Sequence, residues 1–301
     1  MLLKSRTEST ELLILKSLHT RLNMPEKYKQ QYFSLKKGYE GELLFDSLTE
    51  KLDCECIILS DLLLKINNTM FQIDSLIIKS ESIYLFEVKN FEGDYYYESD
   101  RFYMKPNVEI NNPLNQLNRS ESLLRQLLHN LGFNIPITAS VVFINPEFTL
   151  YQTPLNKPFI FPTQVNRYFK KLNAISNKLD GKFKILAEQL ISLHTKESPF
   201  KHLPAYEYAH LQKGIACVEC SSFSITVEGQ KCICKKCGQA ETVVSSVMRS
   251  VDEFILLFPE QKITTNIIHD WCNIIQSKKR IREILKKKLK IAGVHQWSFY
   301  E

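Results

Sequence analysis

Two apolar runs joined by a short polar link constrain this chain more than any other feature. Phe71-Gln72-Ile73-Asp74-Ser75-Leu76-Ile77-Ile78 and Tyr84-Leu85-Phe86-Glu87-Val88-Lys89-Asn90 both read as strands, short and rich in β-branched and aromatic residues. The link Lys79-Ser80-Glu81-Ser82 suits a four-residue hairpin loop. Pairing across it sets Ile78 against Ile83, Leu76 against Leu85, Asp74 against Glu87 and Gln72 against Lys89. Side chains alternate along a strand, so Asp74, Glu87 and Lys89 project to one face. Directly opposed carboxylates destabilise a sheet. Two of them inside an apolar hairpin need a cation. Lys89 is a partial answer and a divalent metal a fuller one.

Around this hairpin the pattern alternates. Gly38-Tyr39-Glu40-Gly41-Glu42 opens a helix carrying Leu43, Leu44, Phe45 and Leu48, and a further strand is expected near 55–60. Tyr95–Tyr97 and Arg101–Tyr103 suggest a second hairpin turning at Glu98–Asp100. The tyrosines suit base stacking or packing on a neighbouring strand. Asn112-Pro113 starts a long helix striped by Leu117, Leu124, Leu127, Leu128 and Leu131. Ile137–Ile144 reads as a buried strand, and helix resumes over about 163–195. Helix (Glu42), strand (Asp74), strand (Glu87, Lys89), helix (Gln116) has the logic of phosphodiester cleavage. Carboxylates hold Mg²⁺ or Mn²⁺, and a lysine beside them stabilises developing charge. Glu87 and Lys89 taken singly also fit a solvated surface pair, and Asp74 a satisfied group at a sheet edge.

The segments Gly38-Tyr39-Glu40-Gly41-Glu42, Phe71-Gln72-Ile73-Asp74, Phe86-Glu87-Val88-Lys89-Asn90 and Asn112-Pro113-Leu114-Asn115-Gln116 resemble the nuclease-related domain, NERD, of the PD-(D/E)xK nuclease superfamily. The resemblance covers about residues 36–150. It implies an α/β, restriction-endonuclease-like core with a central mixed sheet flanked by helices. It implies Asp74 and Glu87 as metal ligands and Lys89 as the catalytic lysine. Glu42 would support the metal or its waters, and Gln116 would contact a water on the metal or the substrate backbone.

Beyond the core, Cys217-Val218-Glu219-Cys220 and Cys234-Lys235-Lys236-Cys237 form two C-x-x-C knuckles, with thirteen residues between the inner cysteines. Four thiolates make a closed structural Zn²⁺ site, and Phe223–Gly229 fits a short hairpin between the knuckles. A redox role for the pairs is the lesser alternative. Cys232 fits the knuckle worse, and Cys54, Cys56 and Cys272 read as buried thiols. A ribbon this small folds only with its metal. It is a candidate surface for nucleic acid or for a protein partner.

The net charge of +6 is localised: Ser277–Lys290 alone carries +7, and the rest of the chain −1. Thr264 caps a short helix, Asn273 supplies a turn, and Ser277 caps a second helix with Ile281, Ile284, Leu285 and Leu289 inward. The pair resembles a helix-turn-helix with Lys278, Lys279, Arg280, Arg282, Lys286 and Lys287 on the candidate recognition helix. The turn lacks the usual glycine, so a docked basic helix with a solvated outer face stays open. No segment reaches the length of a membrane span, and the start lacks the pattern of a signal peptide, so a cytoplasmic location is expected.

The expected organisation is an N-terminal helical extension (1–35), a nuclease-like domain (36–200), a zinc ribbon (205–245) and a basic helical module (246–301). The expected activity is metal-dependent hydrolysis of nucleic acid, in the first instance DNA, with ribbon and tail as targeting modules. The alternative is a nucleic-acid-binding or regulatory protein that keeps the fold without turnover.

Overall fold

The computed structural model describes residues 1–175, 178–195, 202–293 and 298–301. Along the chain run β1 (Leu2–Lys4), α1 (Thr10–Arg21), α2 (Glu26–Thr49), β2 (Ile57–Ile66), β3 (Thr69–Ile78), β4 (Ile83–Lys89), β5 (Gly93–Glu98), β6 (Arg101–Met104), β7 (Val108–Ile110) and α3 (Pro113–Asn130). Next come β8 (Ile137–Phe143), β9 (Phe148–Tyr151), β10 (Phe159–Ile160), α4 (Pro162–Ala174) and α5 (Gly181–Ser192). The C-terminal part holds β11 (Ile225–Glu228), β12 (Lys231–Cys234), β13 (Ala240–Thr242), α6 (Val243–Leu257), α7 (Thr265–Cys272), α8 (Lys278–Lys288), β14 (Ile291–Ala292) and β15 (Phe299–Tyr300).

The chain divides into two compact units, Met1–Glu8 with Ser34–Phe200, and Ser9–Phe33 with Lys201–Glu301. The first is built on a mixed six-stranded sheet in the order β1-β2-β3-β4-β8-β10. The β2–β3–β4 meander is antiparallel, and β1, β8 and β10 run parallel to their neighbours. Helices flank both faces. Leu114, Leu117 and Leu124 of α3 and Phe183, Leu186 and Leu190 of α5 share one core with Leu59, Leu76 and Leu85. Phe45 of α2 and Val165, Phe169 and Leu172 of α4 share the other with Ile58, Ile77 and Phe86. A second sheet, β7-β6-β5-β9, carries the tyrosine hairpin, which turns through Ser99 and Asp100 at positive φ (50° and 60°), as a two-residue hairpin loop requires. Tyr95 and Tyr97 are buried there, and Tyr96 stacks on Tyr103.

The hairpin register of β3 and β4 follows the expected pairing from Ile78 against Ile83 to Ser75 against Phe86, but the ladder ends there. The expected Asp74–Glu87 and Gln72–Lys89 pairs are not part of it, and the Asp74 carboxylate instead accepts from Val88 N. The loop is narrower than expected, because the Lys79 amide donates to Ser82 O and the Lys79 side chain turns inward. Its ammonium donates to Leu172 O (2.8 Å) and Ile175 O (2.7 Å). It thereby binds two carbonyls at the C-terminal end of α4, where a cation is favoured.

Three other expectations are corrected. The helix expected within residues 1–35 is present as α1, followed by the start of α2; only residues 1–8 depart from the expectation, because β1 pairs with β2 in the sheet unit. Gly38–Gly41 does not open a helix, because α2 begins after Pro25 and runs through both glycines. The helix expected over 163–195 is two, α4 and α5. The cysteine segment, the basic helices and α1 all fall in the second unit. The proposed domain boundary near 200 falls partly outside the described residues.

In that unit α1 is capped by Ser9 and buries Leu12, Leu15 and Leu18. Arg21, at its end, ion-pairs with Glu253 of α6 (2.6 Å) and lies 3.9 Å from the centre of the Trp271 ring. Among the described residues no helix is long and apolar enough to cross a membrane.

Candidate functional site

The acidic cluster sits where β2 and β3 change face. Leu59 and Leu76 pair and turn toward the α3–α5 core, but beyond them Leu62, Leu64, Phe71 and Ile73, of opposite parity, fill the same core. The swap falls at Asp61, whose φ of 56° is in the left-handed region, one that aspartate tolerates better than most residues. The ladder between β2 and β3 passes from Ser60–Ser75 to Leu62–Ile73 and skips Asp61 and Asp74. Asp74 is thereby left buried within β3 but outside the ladder with β2. Its Oδ2 accepts from Val88 N (2.8 Å) on β4.

Glu87, 1% exposed, stands one residue before Val88. Its Oε1 lies 2.6 Å from Lys89 Nζ but off hydrogen-bond alignment, so that oxygen is buried without an aligned donor. Lys89 Nζ also donates to Gln116 Oε1 (3.1 Å) in the first turn of α3, which Asn112 caps. Glu42 enters from α2. The five expected residues, Glu42, Asp74, Glu87, Lys89 and Gln116, line one cavity of about 350 Å³. A wider cleft of about 820 Å³ shares Lys89 and Gln116 and is walled by Asn111, Asn115 and Arg119.

Gly41 explains how α2 delivers Glu42. A Cβ there would stand 2.4 Å from Asn90 Cβ, so only glycine lets the helix approach the end of β4 this closely. Asn90 fastens the contact by donating to Lys37 O (2.7 Å).

Sequence reasoning missed two residues. Arg6, 9% exposed, follows β1 and reaches α2 and β3. It pairs with Glu42 Oε2 through Nη1 (2.6 Å), with Asp46 Oδ2 through Nε (2.9 Å), and donates from Nη2 to Asp74 O (2.6 Å). Asp46 also accepts from Ser60 Oγ (2.9 Å). Asp46 is one turn beyond Glu42 on the same helix face, which is the only local signal for either residue.

Burial dominates the electrostatics. It pushes the Glu42 carboxyl up to about 8, helped by the charge of Asp74 and opposed by Arg6. Burial, then Asp74, pushes Glu87 up to about 8 as well, against Lys89. Asp74 is also raised by burial, with Lys89 and the Val88 amide pulling the other way. Burial alone would lower Lys89, but Glu87 and Asp74 outweigh it and hold the ammonium charged. Three largely buried carboxyls in one cavity therefore resist ionising together. Such a set, all oxygen donors with one oxygen lacking an aligned partner, fits a hard divalent cation.

The four cysteines are also brought together. The Sγ atoms of Cys217, Cys220, Cys234 and Cys237 all lie within 4.8 Å of one another. The Cys217–Cys237 and Cys220–Cys234 separations are 3.5 and 3.6 Å, close to the edge of about 3.8 Å set by a Zn–S bond of about 2.3 Å. Each knuckle is closed by a residue at positive φ, Ser221 (55°) and Gly238 (78°), whose amide returns to the first cysteine carbonyl. The Cys237 amide helps lower the Cys234 thiol to about 6. Cys237, despite an amide from Gln239, is pushed up to about 12 by its neighbouring thiols. So tight a group cannot ionise fully without a cation, and the cluster is consistent with a zinc site. Cys232 is buried outside it.

On α8, Ser277 caps, Ile281, Ile284 and Leu285 are buried, and Lys278, Lys279, Arg282, Lys286 and Lys287 are exposed. Arg280 departs from the expected set: its Nη2 donates to Gly229 O (2.7 Å) and Gln230 Oε1 (2.9 Å) of the ribbon turn, which occupies it.

Residues 37–144 match the family model NERD, the nuclease-related domain. The first unit of this chain thus carries a nuclease-related domain, and the match takes in all five cavity residues. No curated protein and no solved structure matches the chain.

Proposed function

We propose that the first unit is a metal-dependent nuclease of the restriction-endonuclease-like class, acting on DNA, with Asp74 and Glu87 holding Mg²⁺ or Mn²⁺. The observation that carries the reading is the meeting of Glu42, Asp74, Glu87, Lys89 and Gln116 in one cavity, inside the segment that matches the nuclease-related domain. An ion held by Asp74 and Glu87 would supply a Lewis acid for the phosphate and ease the deprotonation of the attacking water. Lys89, kept charged by Glu87 and Asp74, faces the charge that develops on the phosphate. Gln116 sets the direction of that ammonium. Glu42, once ionised, accepts a proton from the attacking water. Asn111, Asn115 and Arg119 offer the adjoining cleft's donors to a phosphate backbone.

A second reading has its own support. Arg6 pairs with Glu42 and Lys89 with Glu87, so two of the three carboxylates have a cation from the chain itself. That arrangement also suits a nucleic-acid-binding or regulatory protein without turnover.

Cleavage of plasmid and of single-stranded DNA with Mg²⁺ or Mn²⁺ decides between them. Wild type should cleave, and Asp74→Asn and Lys89→Ala should each lose at least about 100-fold in rate. Equal activity in all three proteins points to a contaminant, and no cleavage by wild type favours the second reading.

A further inference from the structure

We propose that α6, α7, α8 and the β14–β15 ladder form a winged helix that binds double-stranded DNA, with α8 entering the major groove. The inference rests on the reading that the chain acts on nucleic acid, and it names the form of the polymer.

The topology goes beyond two helices and a turn. Helices α6, α7 and α8 pack on one another around Phe254, Ile268, Trp271 and Leu285. β14 and β15 pair antiparallel directly after α8. Ile263, between α6 and α7, makes a single antiparallel bridge to Tyr300 of β15, and Thr265 Oγ1 meets the Tyr300 hydroxyl at 3.2 Å. The C-terminal strand pair is thus pinned to the start of α7, alongside α8.

This closure shapes a groove of about 750 Å³. One wall is the outer face of α8, with Lys278, Lys279, Arg282 and Lys286. The opposite walls are Thr264–Asn266, at the start of α7, and Phe299–Tyr300. Lys279, Arg282 and Lys286, spaced three and four residues apart, lie on one stripe of the helix, with Lys278 at its start. The start of a helix adds donors suited to phosphate. Glu283 is the one acidic residue in the groove. Beside Arg282 it is of the type that accepts from cytosine in a major groove.

The shape selects the polymer. α8 has eleven residues, a rod about 16 Å long and about 10–12 Å wide, which the B-form major groove of about 12 Å admits. The A-form major groove of double-stranded RNA is too narrow for it. Single strands are held by aromatic stacking platforms, and every exposed residue of α8 is charged.

The test uses the full chain without added divalent cation, so that binding is read apart from cleavage. Fluorescence anisotropy compares a DNA duplex of about 20 bp, spanning two helical turns, with either of its strands and with the RNA duplex of the same sequence. Wild type should bind the DNA duplex on the order of 10-fold more tightly than the other two. The triple variant Lys279→Ala/Arg282→Ala/Lys286→Ala, all at exposed positions, should keep its circular dichroism. It should lower the slope of log affinity against log salt by about 2 to 3. Unchanged duplex affinity in that variant, or equal affinity for single strands or duplex RNA, overturns the proposal. Absence of cleavage with Mn²⁺ while duplex binding persists removes the nuclease reading and leaves this one standing.

Discussion

Arg6 Nη1 lies 2.6 Å from Glu42 Oε2, so the first residues of the chain hold an acid of the candidate active site in place. The same guanidinium spans Asp46 and the Asp74 carbonyl. Removing it strips Glu42 of its ion pair and the Asp74 carbonyl of the Arg6 donor and leaves Asp46 only the Ser60 hydroxyl, the situation that makes one-sided loss of a buried ion pair cost about 3–5 kcal/mol. Arg6→Ala should lower the thermal midpoint accordingly. Arg6→Lys should recover less than half, because an ammonium cannot reach three acceptors as a planar fork does. A fragment starting at residue 37, where the family match begins, lacks Arg6 and should melt lower than the full chain by calorimetry.

The raised carboxyls set a pH dependence. Glu42 and Glu87 move from 4.5 to about 8 in the folded state, so between those values the folded chain binds more protons than the unfolded one. Stability of the metal-free protein should therefore fall as pH rises from about 4.5 to about 8. Added Mn²⁺ should reverse the loss at the upper end, where the carboxylates are ionised and able to bind it. Denaturant titrations at pH 5, 6.5 and 8, with and without Mn²⁺, measure both; a metal-free protein that gains stability across this window contradicts the assignment.

Gly41→Ala should be costly for so small a change. The added carbon meets Asn90 Cβ at 2.4 Å, and neither belongs to the far end of a flexible side chain, so α2 or β4 must move. A loss of about 1–3 kcal/mol is expected, and cleavage should fall about 100-fold, since a displacement of about 1 Å at a catalytic group costs that much. Gly38→Ala is the control, with open space at its Cβ: it should be neutral or slightly stabilising.

The cysteine cage predicts about one zinc per chain by elemental analysis. Cys220→Ser or Cys234→Ser should abolish zinc retention and lower the thermal midpoint of the second unit, whereas Cys232→Ala should keep the metal. A metal-free protein with an unchanged melting profile would remove the site's structural role.

Much of the candidate site was legible because its signals are local. A four-residue link fixes the register of β3 and β4, and alternation along β4 then carries Glu87 to the face of Leu85. Asn112-Pro113 marks the start of α3 and so places Gln116 in its first turn. Arg6 gave no such signal, since its partners are 36 to 68 residues away and a lone arginine has no period. The length of β2 was hidden for a related reason: its alternation reverses at Asp61, a backbone state that hydrophobic pattern does not record. Two glycines suggested a helix start in α2, but the helix runs through both, and at Gly41 close packing on Asn90 requires the glycine within the helix. The paired strands after α8 are two residues each, too short to raise a pattern of their own.

The division of the chain imposes an order on its birth. Arg21 and its partner Glu253 are 232 residues apart, and the ribosome adds roughly 5–20 residues each second. For roughly 10 to 50 s of synthesis the greasy side of α1 has emerged while the surface it will cover does not yet exist. Nascent chains should recruit a chaperone to that stretch, and moving it to the C-terminus by circular permutation should relieve the need.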